Sequence, residues 1–207
     1  MSRKSYQRGL WLVIVLVYLT GNRVVAGALT GRVTDATGQI GLTNAVVWAE
    51  PMGAIPQFPP PKQHAAMAQV NLAFVPRILP ILVGTTVDFP NRDTVYHSVF
   101  SFSRRQRFEI GLYPPGQSRA VTFDKVGLVK VFCNIHDQMF GAILVLPTPY
   151  FSISVANGRF TIPGIPAGDY TVHAWHERFR EYSQAVSLTE GATTLTFSLP
   201  RRGHRRK

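Results

Sequence analysis

"VFCNIHDQMFGAILVL", residues Val131 to Leu146, carries the one cysteine of a 207-residue chain, followed by a histidine three positions on and a methionine three after that. The stretch reads as a tight loop holding Cys133, His136 and Met139 between two strands, Leu128 to Cys133 and Ala142 to Leu146. Side chains alternate along a strand, so Val129, Val131 and Cys133 share one side; if the valines face the core, Cys133 stands at its end, sheltered from water. Val95, His97 and Val99 follow the same parity in an earlier segment, which aims His97 inward as well. Burying an imidazole is costly unless its nitrogens are satisfied, and a lone inward histidine is more often hydrogen-bonded than metal-bound.

Convergence changes that balance. His97, Cys133, His136 and Met139 together offer two imidazoles, one thiolate and one thioether. Polarisable sulfur favours Cu(I), imidazole accepts Cu(II), and a trigonal two-histidine, one-cysteine set with a weak axial methionine is a blue-copper arrangement. Zinc prefers a set without a thioether. The plain alternative is a buried cysteine, a core histidine and a loop methionine that never meet a metal.

Compartment bears on the same thiol. Arg3, Lys4 and Arg8, the apolar run Leu10 to Leu19 and the small residues Ala26-Gly27-Ala28 have the layout of a secretory signal peptide, expected over residues 1–28. The apolar run is about half of what a membrane-spanning helix needs, which sets a permanent anchor second to cleavage and soluble export, with a periplasmic location expected. A lone cysteine in an oxidising compartment risks intermolecular disulfides or oxidation unless it is buried or bound to metal. The net charge of +11 is a matter of the ends: Arg3, Lys4, Arg8 and Arg23 leave with the signal, and Arg201, Arg202, Arg205, Arg206 and Lys207 form a basic tail over 200–207, expected to be disordered. That leaves the body near neutral, which argues against a nucleic-acid-binding face; the tail reads as a solvated end or as a tether to an anionic partner.

The fold class expected is all-β, since short runs rich in Val, Ile, Phe and Thr alternate with Gly and Pro and no helical period emerges beyond the signal. Thr85 to Phe89, Thr94 to Phe102 and Ala120 to Phe123 join the two strands above. Turn signals separate them at Pro90-Asn91-Arg92-Asp93, Tyr113-Pro114-Pro115-Gly116 and Asp124-Lys125-Val126-Gly127. Residues 51–62, with Pro56, Pro59, Pro60 and Pro61, read as a polyproline-like linker.

The two ends share another pattern. Gly31, Val33, Asp35, Gly38, Ala45 and Val47 near the start, with Gly158, Phe160, Pro166, Gly168 and Tyr170 near the finish, resemble the carboxypeptidase regulatory-like module, a small Ig-like or transthyretin-like β-sandwich. The resemblance implies a discontinuous sandwich of residues 29–55 and 148–199, with residues 56–147 inserted between its halves. The alternative gives the first two strands to the middle of the chain.

That middle resembles a cupredoxin of the plastocyanin and amicyanin type. "VGTTVDFPNRDTVYHSVFSFS" is similar to that family's Gly-x-x-Val-x-Phe-x-Asn strand with its first histidine, and "VTFDKVGLVKVFCNIHDQMFGAILVL" to its Phe-x-x-x-Gly and Cys-x-x-His-x-x-Met close. The resemblance implies a Greek-key β-sandwich, with His97, Cys133 and His136 as equatorial ligands of one copper ion and Met139 as the axial one. "FPNRD", "CNIHD" and the late "WHE" further resemble exported cupredoxin-like proteins labelled methylamine utilization protein. Two departures stand out: Ser98 replaces the asparagine that often follows the first histidine, and Asp137 is an unusually polar residue beside the metal edge.

The function expected is a single-electron carrier with a redox protein partner, a cytochrome or a dehydrogenase. The rival is a copper-binding accessory, sensor or assembly protein, and a third class is an adhesion module without metal. Enzymatic turnover is not expected, because four protein ligands leave no open position. His136 is the expected electron exit, with Phe140 and Pro114-Pro115 as its apolar rim. Arg104, Arg105 and Arg107, read as a loop, could steer an acidic partner. In "HAWHE", His173 and Trp175 are expected to point outward and His176 to lie elsewhere, a surface or interface patch rather than a second metal site. His64 and His204 show no partner in the sequence.

Overall fold

The computed structural model describes residues 26 to 201, and the expected signal segment up to Val25 and the tail from Arg202 lie outside the described residues. The chain is all-β. β1 (Ala26–Asp35) and β2 (Val46–Pro51) come first. Residues 52–64 carry no strand and lead to β3 (Ala65–Ala66), β4 (Ala68–Val70), β5 (Ala73–Val75), β6 (Ile78–Leu82), β7 (Thr85–Pro90) and β8 (His97–Ser103). Next are β9 (Gln106–Tyr113), β10 (Ser118–Phe123), β11 (Gly127–Phe132) and β12 (Phe140–Leu146). After them come β13 (Phe151–Ile153), β14 (Arg159–Pro166), β15 (Gly168–Trp175), β16 (Tyr182–Leu188) and β17 (Ala192–Leu199).

Pairing divides these strands into two sandwiches. β14-β1-β17 and β13-β2-β15-β16 form two sheets from the beginning and end of the chain, and β10-β7-β3 and β6-β12-β11-β8-β9 form two from its middle, with the β4-β5 hairpin beside them. Leu29, Val33, Val47, Phe160, Tyr170, Val172 and Phe197 fill the first interior, and Val87, Phe89, Val99, Phe123, Val129, Val131 and Ile143 the second. A third apolar cluster welds the two: Val46 and Trp48 of β2 and Trp175 of β15 pack on Ile78, Ala142, Leu144 and Leu146 of β6 and β12. One outer sheet face of each sandwich is thereby withdrawn from water, which makes the junction a buried apolar contact.

Local chemistry explains the layout. β7 alternates buried and half-exposed residues, the signature of a strand with one face on a core. β6 carries Pro80, tolerated because β6 is the edge of its sheet and pairs only with β12. β1 runs between β14 and β17 at Gly31, where a Cβ would stand 1.9 Å from the Leu195 carbonyl oxygen.

Several sequence expectations need correction. β8 begins at His97, so Val95 lies in the preceding turn, 41% exposed, and does not share the inward parity of His97 and Val99. β9 went unread as a strand, and Arg107 belongs to it rather than to a loop. The expected outward Trp175 does point away from its own sandwich, and it is buried at the interface with the other.

Candidate metal centre

Three donors meet at one end of the middle sandwich. His97 opens β8, Cys133 follows the last residue of β11, and His136 lies in the loop that returns to β12. His97 is fully buried, Cys133 nearly so, and His136 is half-buried. The Cys133 sulfur stands 3.8 Å from His97 Nδ1 and 3.6 Å from His136 Nδ1, and the two Nδ1 atoms are 3.2 Å apart. Among the described residues, this is the one grouping of three or more His, Cys, Asp or Glu donors close enough to share an ion. The two rings are tilted by 59° with centroids 4.8 Å apart, so both Nδ1 atoms address a common space. Met139, 1% exposed, packs in the same core cluster as Cys133 and closes the loop through its N–H, which donates to the His136 carbonyl at 2.9 Å.

The loop is pinned from two strands. Ser98 Oγ accepts the backbone N–H of Asn134 at 2.9 Å and stands 3.8 Å from the Cys133 sulfur. The asparagine side chain of Asn134 donates to Glu109 of β9 at 3.2 Å. Ser98 thus holds the Cys133–Met139 loop from the position next to His97. Asp137 is exposed, so its charge faces solvent rather than the centre.

Beneath the donors the packing is polar. Asn91 donates to the carbonyls of Val95 at 2.9 Å and Tyr113 at 3.3 Å, which shapes the turn leading into His97. Tyr113 pairs across from His97, is fully buried, donates its hydroxyl to the Phe89 carbonyl at 2.9 Å, and accepts from Gln69. Burial pushes its phenol up to about 12, opposed by the Gln69 bond and reinforced by the nearby Cys133, so it stays protonated.

His97 Nε2 points away from the sulfur and meets Asp93 Oδ2 at 2.8 Å. The same carboxylate accepts the backbone N–H groups of Asn71 and Leu72, the latter at 3.0 Å. Burial pushes the Asp93 carboxyl up, but the bonds from Leu72, His97 and Asn71 outweigh it and hold it below its ordinary range. The sequence reading missed Asp93, since "PNRD" reads as a turn; its spacing of four from an inward histidine was the available signal.

The remaining expected features fall elsewhere. Phe140 opens β12 half-buried, with the Arg77 guanidinium 4.9 Å above its ring. His173 stacks on Trp48 with centroids 4.7 Å apart, and His176 lies past the end of β15 against Phe179, so the two histidines share no ion. His64 pairs with Asp88 at 3.1 Å, which corrects its reading as partnerless, and His204 lies outside the described residues. No helix among the described residues is long and apolar enough to cross a membrane.

Residues 149–196 match the family model described as polysaccharide lyase family 4, domain II. Comparison with curated proteins finds no match. Among solved structures the chain is similar to a purple cupredoxin from Nitrosopumilus maritimus, with 26% identity, a TM-score of 0.37, and coverage of 40% of this chain and 99% of that one. It is also similar to a variant of amicyanin in its reduced Cu(I) form at pH 4, with 20% identity, a TM-score of 0.39, and coverage of 42% and 85%. A second amicyanin variant, in an oxidised form, gives 20% identity, a TM-score of 0.39, and coverage of 41% and 84%.

Proposed function

We propose that His97, Cys133 and His136 bind one copper ion as a type 1 centre, with Met139 as a weak axial donor, and that the protein carries single electrons after export. The observation that carries this reading is the size of the donor triangle. A circle through three atoms spaced by these distances has a radius of about 2.1 Å, within the range of first-row metal bonds to imidazole nitrogen and thiolate sulfur. The donor chemistry fits copper: one sulfur and two imidazoles suit both of its oxidation states. Bound copper would serve as the one-electron reservoir.

The chain's own residues supply the rest. Ser98 and Glu109 hold the Cys133–Met139 loop, so the ligands need not move when charge changes. Half-buried His136 is the path to a redox partner. Exposed apolar side chains beside the ligands in sequence, Val95, Tyr96 and Ile135, join Phe140 and Pro114-Pro115 in the docking rim. The other sandwich, read as a carboxypeptidase regulatory-like unit over 29–55 and 148–199, is a scaffold that buries one outer face of the copper-binding unit over 56–147. This is carriage rather than enzymatic turnover.

Titration of metal-free protein with Cu(II) tests the reading. It predicts an intense visible absorption that saturates at one equivalent and is followed by fast reduction and reoxidation with a small cytochrome. A pale complex with sluggish exchange would favour the accessory role, and absence of stoichiometric uptake would overturn copper binding altogether.

A further inference from the structure

We propose that Asp93 is a positioning residue for His97, fixing the tautomer that leaves Nδ1 bare and strengthening that nitrogen as a donor. The inference deepens the copper reading above and rests on it for its second half. A neutral imidazole has one N–H and one bare nitrogen, and a carboxylate can only accept. At 2.8 Å from Asp93 Oδ2, His97 Nε2 must be the protonated atom, so the lone pair at Nδ1 is turned toward the Cys133 sulfur and His136 Nδ1. His97 is fully buried, where an unpaired N–H would be costly, so the pairing is enforced by the fold as well as by charge.

Asp93 is itself held on every side. Its N–H donates to Asn91 Oδ1 at 3.0 Å, and its two oxygens take the N–H groups of Asn71 and Leu72 at the tip of the β4-β5 hairpin. Asn71 and Leu72 both have left-handed backbones, with φ of 51° and 57°, a conformation that disfavours a leucine. The hairpin accepts that conformation where it aims two consecutive N–H groups at one carboxylate. The side chain of Asp93 is 10% exposed, so its charge acts on His97 with little screening by solvent. No carboxylate holds His136 in this way among the described residues. The two imidazoles therefore have separate duties: His97 is the anchored ligand and His136 the one at the surface.

A carboxylate behind a ligating imidazole raises its basicity and orients its ring, and removing such a partner weakens metal binding by about 10- to 100-fold. The added negative charge favours the more highly charged metal state. Asp93→Asn is accordingly expected to bind Cu(II) about 10- to 100-fold more weakly than wild type, and to show a more positive reduction potential, while Asp93→Glu recovers part of both. Nitrogen-15 NMR of the metal-free wild-type protein reads the tautomer without copper and without a variant. It should show His97 protonated at Nε2, with that proton protected from exchange. A proton on Nδ1 would overturn the inference, as would unchanged affinity and potential in folded Asp93→Asn. If wild type takes up no copper, the metal reading fails, and the NMR tautomer alone still decides whether Asp93 positions His97.

Discussion

Cys133 is an ordinary buried thiol until His97 and His136 are placed beside it, and the placement depends on single polar contacts. Ser98→Ala removes the acceptor of the Asn134 N–H, a part-buried hydrogen bond with a net contribution of about 0.5–1.5 kcal/mol. Its thermal midpoint should fall, and restoring an acceptor with Ser98→Thr should recover most of the loss. Met139→Leu keeps the volume of a fully buried side chain, so the protein should remain folded and coloured, with a shifted reduction potential if the thioether is the axial donor. Sequence parity sufficed for Cys133 and His97, because both lie on or next to strands with one face on a core. It failed for Val95, which precedes its strand, and it could not find Asp93 because that residue looks like turn punctuation until the fold turns it onto His97.

At the scale of elements, β7, β8, β10, β11 and β12 were legible, give or take a few residues, because each carries β-branched or aromatic residues between turn signals. β9 was not, since its Arg107, Glu109 and Gly111 face a side that leaves little apolar signal. β3 to β5 are two or three residues long, too short for any period to register. That Cys133, His136 and Met139 share one loop between two strands was legible in the sequence, whereas the anchoring of that loop by β8 and β9 required the strands to be adjacent. Past the end of β15, burial holds the His176 imidazole below its ordinary 6.5, partly opposed by Glu177 and a bond with Thr43. The unfolded chain then takes up a proton that the native chain resists. Stability from this group is complete above about pH 6.5 and is lost as pH falls through that value toward the lower native one. Thermal midpoints of wild type and His176→Gln, compared from about pH 8 to about pH 5, should converge at the acid end; a constant difference would contradict the assignment.

For the whole molecule, the sandwich made from the chain's two ends shares no sheet with the middle one and touches it chiefly through Trp48, Trp175 and the outer faces of β6 and β12. The sequence marked "HAWHE" as a surface or interface patch but could not show the face it meets, because an outward face on one sandwich becomes an inward one only when a second sandwich covers it. Trp175→Ala should cost about 3–5 kcal/mol and split one calorimetric transition into two, with the copper spectrum unchanged. Gly31→Ala forces a methyl against the Leu195 carbonyl, so it should lower the midpoint of the end-built sandwich alone. Both expectations assume that the centre belongs wholly to the middle sandwich, which is where all three donors and Asp93 lie. The central claim, that these donors close on one copper ion, is tested most directly by X-ray absorption fine structure at the copper edge of the loaded protein. One sulfur and two imidazole nitrogens in the nearest shell, with the sulfur lost in Cys133→Ser, is the predicted result; a shell of nitrogen and oxygen alone, unaltered by that substitution, would contradict it.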